Sequence, residues 1–268
     1  GGIIVDEWSP LEARVRLRTG EAAPEAVVDA TLPHLDSDIH RTRTRALWTL
    51  AEAVRGCPER TADVADAFVA SLTHGQHILD EQLKALGAMA RVNPRTLAPV
   101  VEALSPAGTE RWAYNGSAPL AHAVLGEIGV QAPGVAKPAV ESLIGTIVDS
   151  FETANMEAAW ALIRIADAEP STVQPVIAGH LWSLDSENPS VVEKSLDYLG
   201  VVFGLCPDHI VELDRVAEFL SHPLSDIRRA AVRALKRTAF GLSDGDDERL
   251  GRRDVTRIQP YIDRIATL

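Results

Sequence analysis

The sequence is short of aromatic residues, of cysteine and of lysine, and each shortage removes a class of explanation. Phe, Trp and Tyr make up 5% of the 268 residues, against 46% for hydrophobic residues as a whole. A core must therefore be built from Ala, Val, Leu and Ile, side chains small enough for helices to pack closely. The two cysteines, Cys57 and Cys206, each precede a proline. Thiols so placed form neither a CxxC redox motif nor a zinc site, and they are expected to be ordinary loop residues in a reducing, cytoplasmic protein. No apolar run approaches the ~18 residues that cross a bilayer. The opening GGIIVDEW shows no signal-peptide pattern, and it lacks a Met, as a processed, tagged or excised chain would.

Positive charge is scarce overall and unevenly placed. The net charge is −12. Residues 119–220 hold fifteen acids against four bases, a net of −11, whereas residues 221–268 hold ten bases against seven acids, a net of +3. A middle so acidic repels phosphate backbones, and the basic end suits an acidic partner.

What the sequence does have is a period. Residues 37–47 read SDIHRTRTRAL and residues 225–235 read SDIRRAAVRAL, seven of eleven letters agreeing. Between them, Leu47, Leu86, Leu125, Leu162, Leu199 and Leu235 fall 39, 39, 37, 37 and 36 residues apart, each inside a similar apolar segment. Proline marks the same period. Pro94, Pro133, Pro170 and Pro207 each lie eight residues after a marker leucine, and Pro99, Pro138 and Pro175 thirteen after; Glu212 breaks the second series. The first proline stops a helix by disfavouring helical geometry in the residue before it. The second sits in the first turn of the next helix, where its missing N–H costs nothing. Each unit of about 37 residues thus reads as helix A, a turn, helix B and a proline-marked link. Such pairs bury their apolar stripes only by stacking on their neighbours.

These features resemble the HEAT repeats, with armadillo repeats as close relatives. A HEAT unit typically carries Asp near its turn and a Val/Ile-Arg pair at the start of helix B. Asp226-Ile227-Arg228, with Ala231, Ala234 and Leu235, matches well; Asp38-Ile39 matches, but His40 replaces the Arg. In the middle units Ile78-Leu79, Asn155 and Val192 stand in equivalent places and the pattern fades. The resemblance covers about residues 22–268. It implies an all-α fold, a right-handed α-α superhelix (solenoid) of about six HEAT-like helical hairpins, with the B helices on the concave face. It implies no single function, because the family includes transport receptors, scaffolds and a few enzymes.

The expected organisation has three parts. Residues 1–21 are a capping helix or the remnant of an earlier repeat. Residues 22–240 are the array, in units of approximately 22–58, 59–94, 95–133, 134–170, 171–207 and 208–240. Residues 241–268 are a charged loop and a terminal capping helix. At the start, Ser9, Pro10 and Glu12 carry the signature of a capping box. Two insertions interrupt the array. Residues 105–119 place Trp112 and Tyr114 in a polar loop, where exposed aromatics are favoured binding anchors. Residues 241–254 space Asp244, Asp246 and Glu248 as in a calcium loop, yet Arg249 replaces its glycine and Val255 its closing Glu. That segment is read as a solvated loop.

No catalytic set, cofactor motif or metal site is predicted. The histidines are scattered, and His74 and His77 form a pair without a third ligand. GxSxG, P-loop and GxGxxG motifs are all missing. HEAT-like DNA alkyl-base glycosylases offer an enzyme alternative, with Trp160 and Asp197 as aromatic and carboxylate, and the acidic middle opposes it.

The expected site is the B-helix face. Two residues before each marker the column reads Arg45, Lys84, Ala123, Trp160, Asp197, Arg233; flanking columns add Arg41, Arg164, Arg229 and Arg237. It is basic at both ends and acidic or apolar between. The reading is therefore a non-enzymatic protein–protein interaction scaffold or adaptor, a monomer or part of a complex, binding another protein through these residues with Trp112 and Tyr114. The alternative is nucleic-acid binding through the basic C-terminal unit.

Overall fold

Each proline that lies eight residues past a marker leucine opens a single turn of 3-10 or α-helix linking one B helix to the next A helix. The residue before it is held in one recurring extended conformation: φ/ψ is −146/74 at Asn93, −144/72 at Ala132, −152/96 at Glu169 and −122/73 at Cys206. Proline's δ-carbon excludes the helical alternative there. The chain is thus turned the same way at the end of successive repeats.

A computed structural model describes residues 8–72, 79–105, 118–149, 154–241 and 259–266. Among these residues there are fifteen α-helices and no strand. They are α1 (Pro10–Thr19), α2 (Pro24–Thr31), α3 (His40–Ala53), α4 (Thr61–Leu72), α5 (Leu79–Ala90), α6 (Ala98–Leu104), α7 (Ala118–Gln131) and α8 (Pro133–Ala136), followed by α9 (Ala139–Asp149), α10 (Ala154–Ala168), α11 (Gln174–Ser183), α12 (Pro189–Leu205), α13 (Leu213–Glu218), α14 (Ser225–Phe240) and α15 (Gln259–Ala266). The chain divides into two compact units near residue 139.

In the first unit the B helices stack side by side, α3 on α5 and α5 on α7, while α4 packs on α6 and α6 on α8 in the A layer. Helix α1 stands where a preceding B helix would, along α3 and against α2. Its start is a complete capping box: Ser9 N–H donates to Glu12 Oε2 at 2.9 Å and Glu12 N–H to Ser9 Oγ at 3.3 Å. Gly20, left-handed at φ 74, closes it. Thr49 on α3 donates to the Pro10 carbonyl at 3.0 Å, and Glu52 accepts from Arg14 and Arg18 at 2.7 Å each.

In the second unit α10, α12 and α14 form the B layer, with α11 against α12 and α13 against α14. The α12–α14 crossing is close because Gly200 and Gly204 face it. A β-carbon on Gly200 would lie 2.5 Å from Ala234 Cα, and one on Gly204 would lie 2.9 Å from the Arg237 carbonyl. Tyr261 on α15 donates to Asp214 at 2.6 Å, a hydrogen bond that pushes the phenol up to about 12.

All six marker leucines are buried, none more than 2% exposed. Burying each contributes roughly 1.5–3 kcal/mol, so the period seen in the sequence is the period of core burial. The two SDI motifs differ in structure, however. At residues 225–227 they form the first turn of α14, and Arg228 donates to the His222 and Pro223 carbonyls at 2.8 Å each. At residues 37–39 they precede α3, because Ser37 Oγ captures the Ile39 N–H at 3.2 Å and competes with the helix.

Cys57 and Cys206 lie between helices, as expected, but both are buried, and neither is in a disulfide. Cys57 donates to the Ala53 carbonyl at 3.3 Å, and burial first, then the charges of Glu25 and Glu59, pushes its thiol up to about 11.

Candidate functional site

Helix α3 carries Arg41, Arg43 and Arg45 at its start, and Arg41 and Arg45 lie one turn apart on the same face. Arg41 is exposed, and Arg43 and Arg45 are half-buried. None of the three makes an ion pair among the described residues. Arg43 Nε and Thr44 Oγ1 are buried without a hydrogen-bond partner among the described residues. The neighbouring acid is already engaged: Glu81 on α5 accepts from Trp48 Nε1 at 2.8 Å and from Lys84 Nζ at 2.9 Å. The Lys84 bond, then the Trp48 bond, holds its carboxyl below the ordinary range.

The second unit treats its arginines differently. Asp197 on α12 lies beneath two guanidiniums of α14. Arg233 grips it with two bonds, 3.0 and 2.8 Å, and Arg237 Nη1 adds a third at 3.1 Å. Glu193 lies 3.4 Å from Arg233. Asp197 is 8% exposed and Arg233 half-exposed, so this stretch of the expected exposed column is a staple between adjacent B helices built on a buried acid. Arg229 is exposed and pairs with Asp226 on its own helix. On α10, Trp160 is half-buried, Arg164 is exposed, and Met156 is exposed one turn before Trp160.

A second feature lies on the A layer of the same unit. A cavity of about 490 Å³ opens between α11 and the segment leading into α13. Its floor is Ile177 and Leu181, both buried, and its walls are Trp182, 78% exposed, and Val211. Glu212, which lines the cavity, stands where the second proline series breaks, and it takes φ 47, ψ 38, a left-handed conformation closed to proline. Among the described residues it is the one non-glycine with positive φ.

Among the described residues no three His, Cys, Asp or Glu side chains converge to hold a metal ion. His180 Nδ1 lies 3.2 Å from Ser195 Oγ. Ser195 is 2% exposed, and this hydrogen bond lies part-buried between α11 and α12. Among these residues no helix is long and apolar enough to cross a membrane.

Compared with solved structures, the chain is similar to a mutant of Kap121p, with a TM-score of 0.60 and 12% identity over 93% of this chain and 28% of that one. The fold is a HEAT/armadillo-like α-solenoid. Two further likenesses have lower scores. A designed armadillo repeat protein matches with a TM-score of 0.41 and 16% identity, over 81% of this chain and 100% of that one. An archaeal HEAT-like repeats protein from Thermococcus onnurineus NA1 matches with a TM-score of 0.43 and 17% identity, over 91% of this chain and 100% of that one. No family model matches the sequence, and no curated protein matches it. The chain spans 28% of the Kap121p chain it resembles.

Within this solenoid Trp160, Arg164 and Arg229 stand at separate places on α10 and α14, and the other predicted residues fall into three groups. Arg41, Arg45 and Lys84 share the B-helix face of the first unit. Asp197, Arg233 and Arg237 come together, but with one another. Trp112 and Tyr114 lie outside the described residues, as do His74, His77 and the acids of the 241–254 loop. Sequence reasoning missed Trp182. Its signal was present: Val173, Ile177, Leu181 and Leu184 form the buried stripe of that helix and its flanks, and Trp182 falls one position off it.

Proposed function

We propose that the chain is a non-enzymatic interaction scaffold that binds a partner protein along the B-helix face of its repeats. The fold supports the general reading, since helical-repeat proteins of this kind commonly bind other proteins. The observation that carries the particular one is the state of the α3 arginines. Arg14, Arg18, Arg60, Arg91, Arg215, Arg229, Arg233 and Arg237 all have carboxylate partners. Arg41 and Arg45 have none among the described residues; Arg16, Arg43, Arg55, Arg95 and Arg228 also lack one, but Arg41 and Arg45 lie one turn apart on the same side of a B helix, in a chain with 38 acids against 26 bases. Guanidiniums left unpaired amid such an excess of carboxylates suit an acidic surface on another molecule. Lys84 continues this face on α5. In the second unit Trp160, Arg164 and Arg229 are the proposed contact residues of its own B helices, and Trp112 and Tyr114 are proposed as aromatic anchors. Asp197, Arg233 and Arg237 serve it by fixing the spacing of α12 and α14. The reading places the chain in the cytoplasm, where isolated thiols stay reduced.

Affinity capture from the native cell, with the wild type and with Arg41→Glu/Arg45→Glu, tests this directly. The wild type should retain a protein that nuclease does not release and that the variant loses. A partner that stays on the variant moves the contact off α3. One released by nuclease, with binding that falls steeply with salt, favours nucleic acid instead.

A further inference from the structure

The cavity beside α11 has the composition of a recognition site, and the arginine-bearing face does not account for it. Its volume, about 490 Å³, falls in the range of pockets that enclose a ligand. A tryptophan 78% exposed at its lip is the most exposed large apolar side chain of the described residues, with Val211 at 47% opposite. Large aromatic side chains left in water beside an apolar hollow are the residues that dominate binding when covered.

The charges around it are mainly negative. Asp208 and Glu212 both line the cavity. The one lining arginine, Arg215, is committed outward: its Nη2 donates to Asp185 at 2.5 Å, while Glu212 stands off at 3.7 Å from Nη1. Asp208 has no ion pair among the described residues. With Asp185 included, which is outside the lining, three carboxylates stand against one guanidinium and the lining imidazole of His209. The left-handed backbone at Glu212 adds to the case. An L-residue there costs about 1–2 kcal/mol that glycine would avoid, and the residue present brings a carboxylate to the lip.

We infer that this groove is a second docking site, for an extended segment of a partner protein that presents a large apolar side chain next to lysine or arginine. The apolar side chain covers Ile177 and Leu181 between Trp182 and Val211. The neighbouring cation meets Asp208 and Glu212. The site lies wholly within the second unit and on its A layer, so it is independent of the α3 arginines.

The test begins by panning a random dodecapeptide phage library against the full chain, then titrating a fluorescein-labelled peptide of the enriched sequence. The expected sequences carry Leu, Phe or Trp within two positions of Lys or Arg. Their affinity should fall at least tenfold with Trp182→Ser and with Asp208→Lys, and stay within twofold with Arg41→Glu/Arg45→Glu. Both side chains are exposed, so thermal unfolding should confirm that each variant remains folded. Failure to enrich any sequence, enrichment of acidic sequences, or binding indifferent to Trp182→Ser overturns the assignment. A wild-type dimer in sedimentation that Trp182→Ser dissolves also overturns it, because the occupant would then be a second copy.

Discussion

Asp197 and Arg233, 36 residues apart in sequence, face one another across adjacent B helices through two hydrogen bonds of 3.0 and 2.8 Å. They occupy equivalent positions in successive repeats, two residues before the markers Leu199 and Leu235. Arg237 completes the cluster from one turn further on and is itself largely buried, so burial pulls its pKa down while Asp197 opposes that pull. Asp197→Asn leaves Arg237 facing a neutral amide in a poorly hydrated place. Losing one partner of a fully buried pair costs about 3–5 kcal/mol. With Arg233 42% exposed, the expected loss here is nearer roughly 2 kcal/mol. Urea unfolding should show it, beside a change under about 1 kcal/mol for Arg229→Ala, whose ion pair is exposed.

Two helical glycines should respond in opposite directions to the same substitution. Gly200→Ala places a methyl group 2.5 Å from the Ala234 backbone, and overpacking of that kind costs about 1–3 kcal/mol. Gly179 on α11 has nothing within 4 Å of the added atom, so Gly179→Ala should stabilise by about 0.5–1 kcal/mol. Midpoints of thermal unfolding that move the same way for both would contradict the close crossing of α12 and α14.

His180 gives the second unit a dependence on pH. Its ring lies 4.5 Å from that of Tyr198, and burial holds its pKa below the ordinary 6.5, with Glu141 opposing and Lys194 assisting. In the window between the lowered value and 6.5, the unfolded chain binds more protons than the folded one. Stability is therefore fully present above about pH 6.5 and falls as pH drops through that window. The wild type should lose more of its melting temperature between pH 7.5 and 5.5 than His180→Gln. An equal loss in both would remove the histidine from the account.

Cys57 should be inert in the native protein. A thiol raised to about 11 holds very little thiolate at pH 8, and it is fully covered. A chromogenic disulfide reagent should modify it only at the rate of unfolding, and fast labelling without denaturant would place Cys57 at the surface.

Much of the fold was legible because its causes repeat. The marker leucines recur because each repeat buries the same position, and the prolines recur because each link needs the same backbone turn. The capping box at Ser9 and Glu12 was readable for a similar reason, since its bonds are local. The site was harder. Asp197 reads as an exposed acid until stacking sets it against the equivalent residue of the next repeat; a column viewed one helix at a time hides contacts made between columns. Glu212 was visible as a gap in the proline series, but a left-handed backbone has no letter of its own. Trp182 was readable in principle from its place off the buried stripe.

Among the described residues, the side-chain bonds that tie the B helices together close at about one repeat. Thr49 to Pro10, Trp48 to Glu81, Arg91 to Glu127 and Arg237 to Asp197 span 39, 33, 36 and 40 residues. No such bond waits for distant ends of the chain to meet, so contact order is low and the entropy of closing each loop is nearly the same. Folding can then begin at any well-packed neighbouring pair and spread one repeat at a time. Hydrogen exchange should accordingly be slowest at the α12–α14 crossing, where glycines and a buried ion cluster bind two repeats most closely, and should quicken in steps of one repeat away from it.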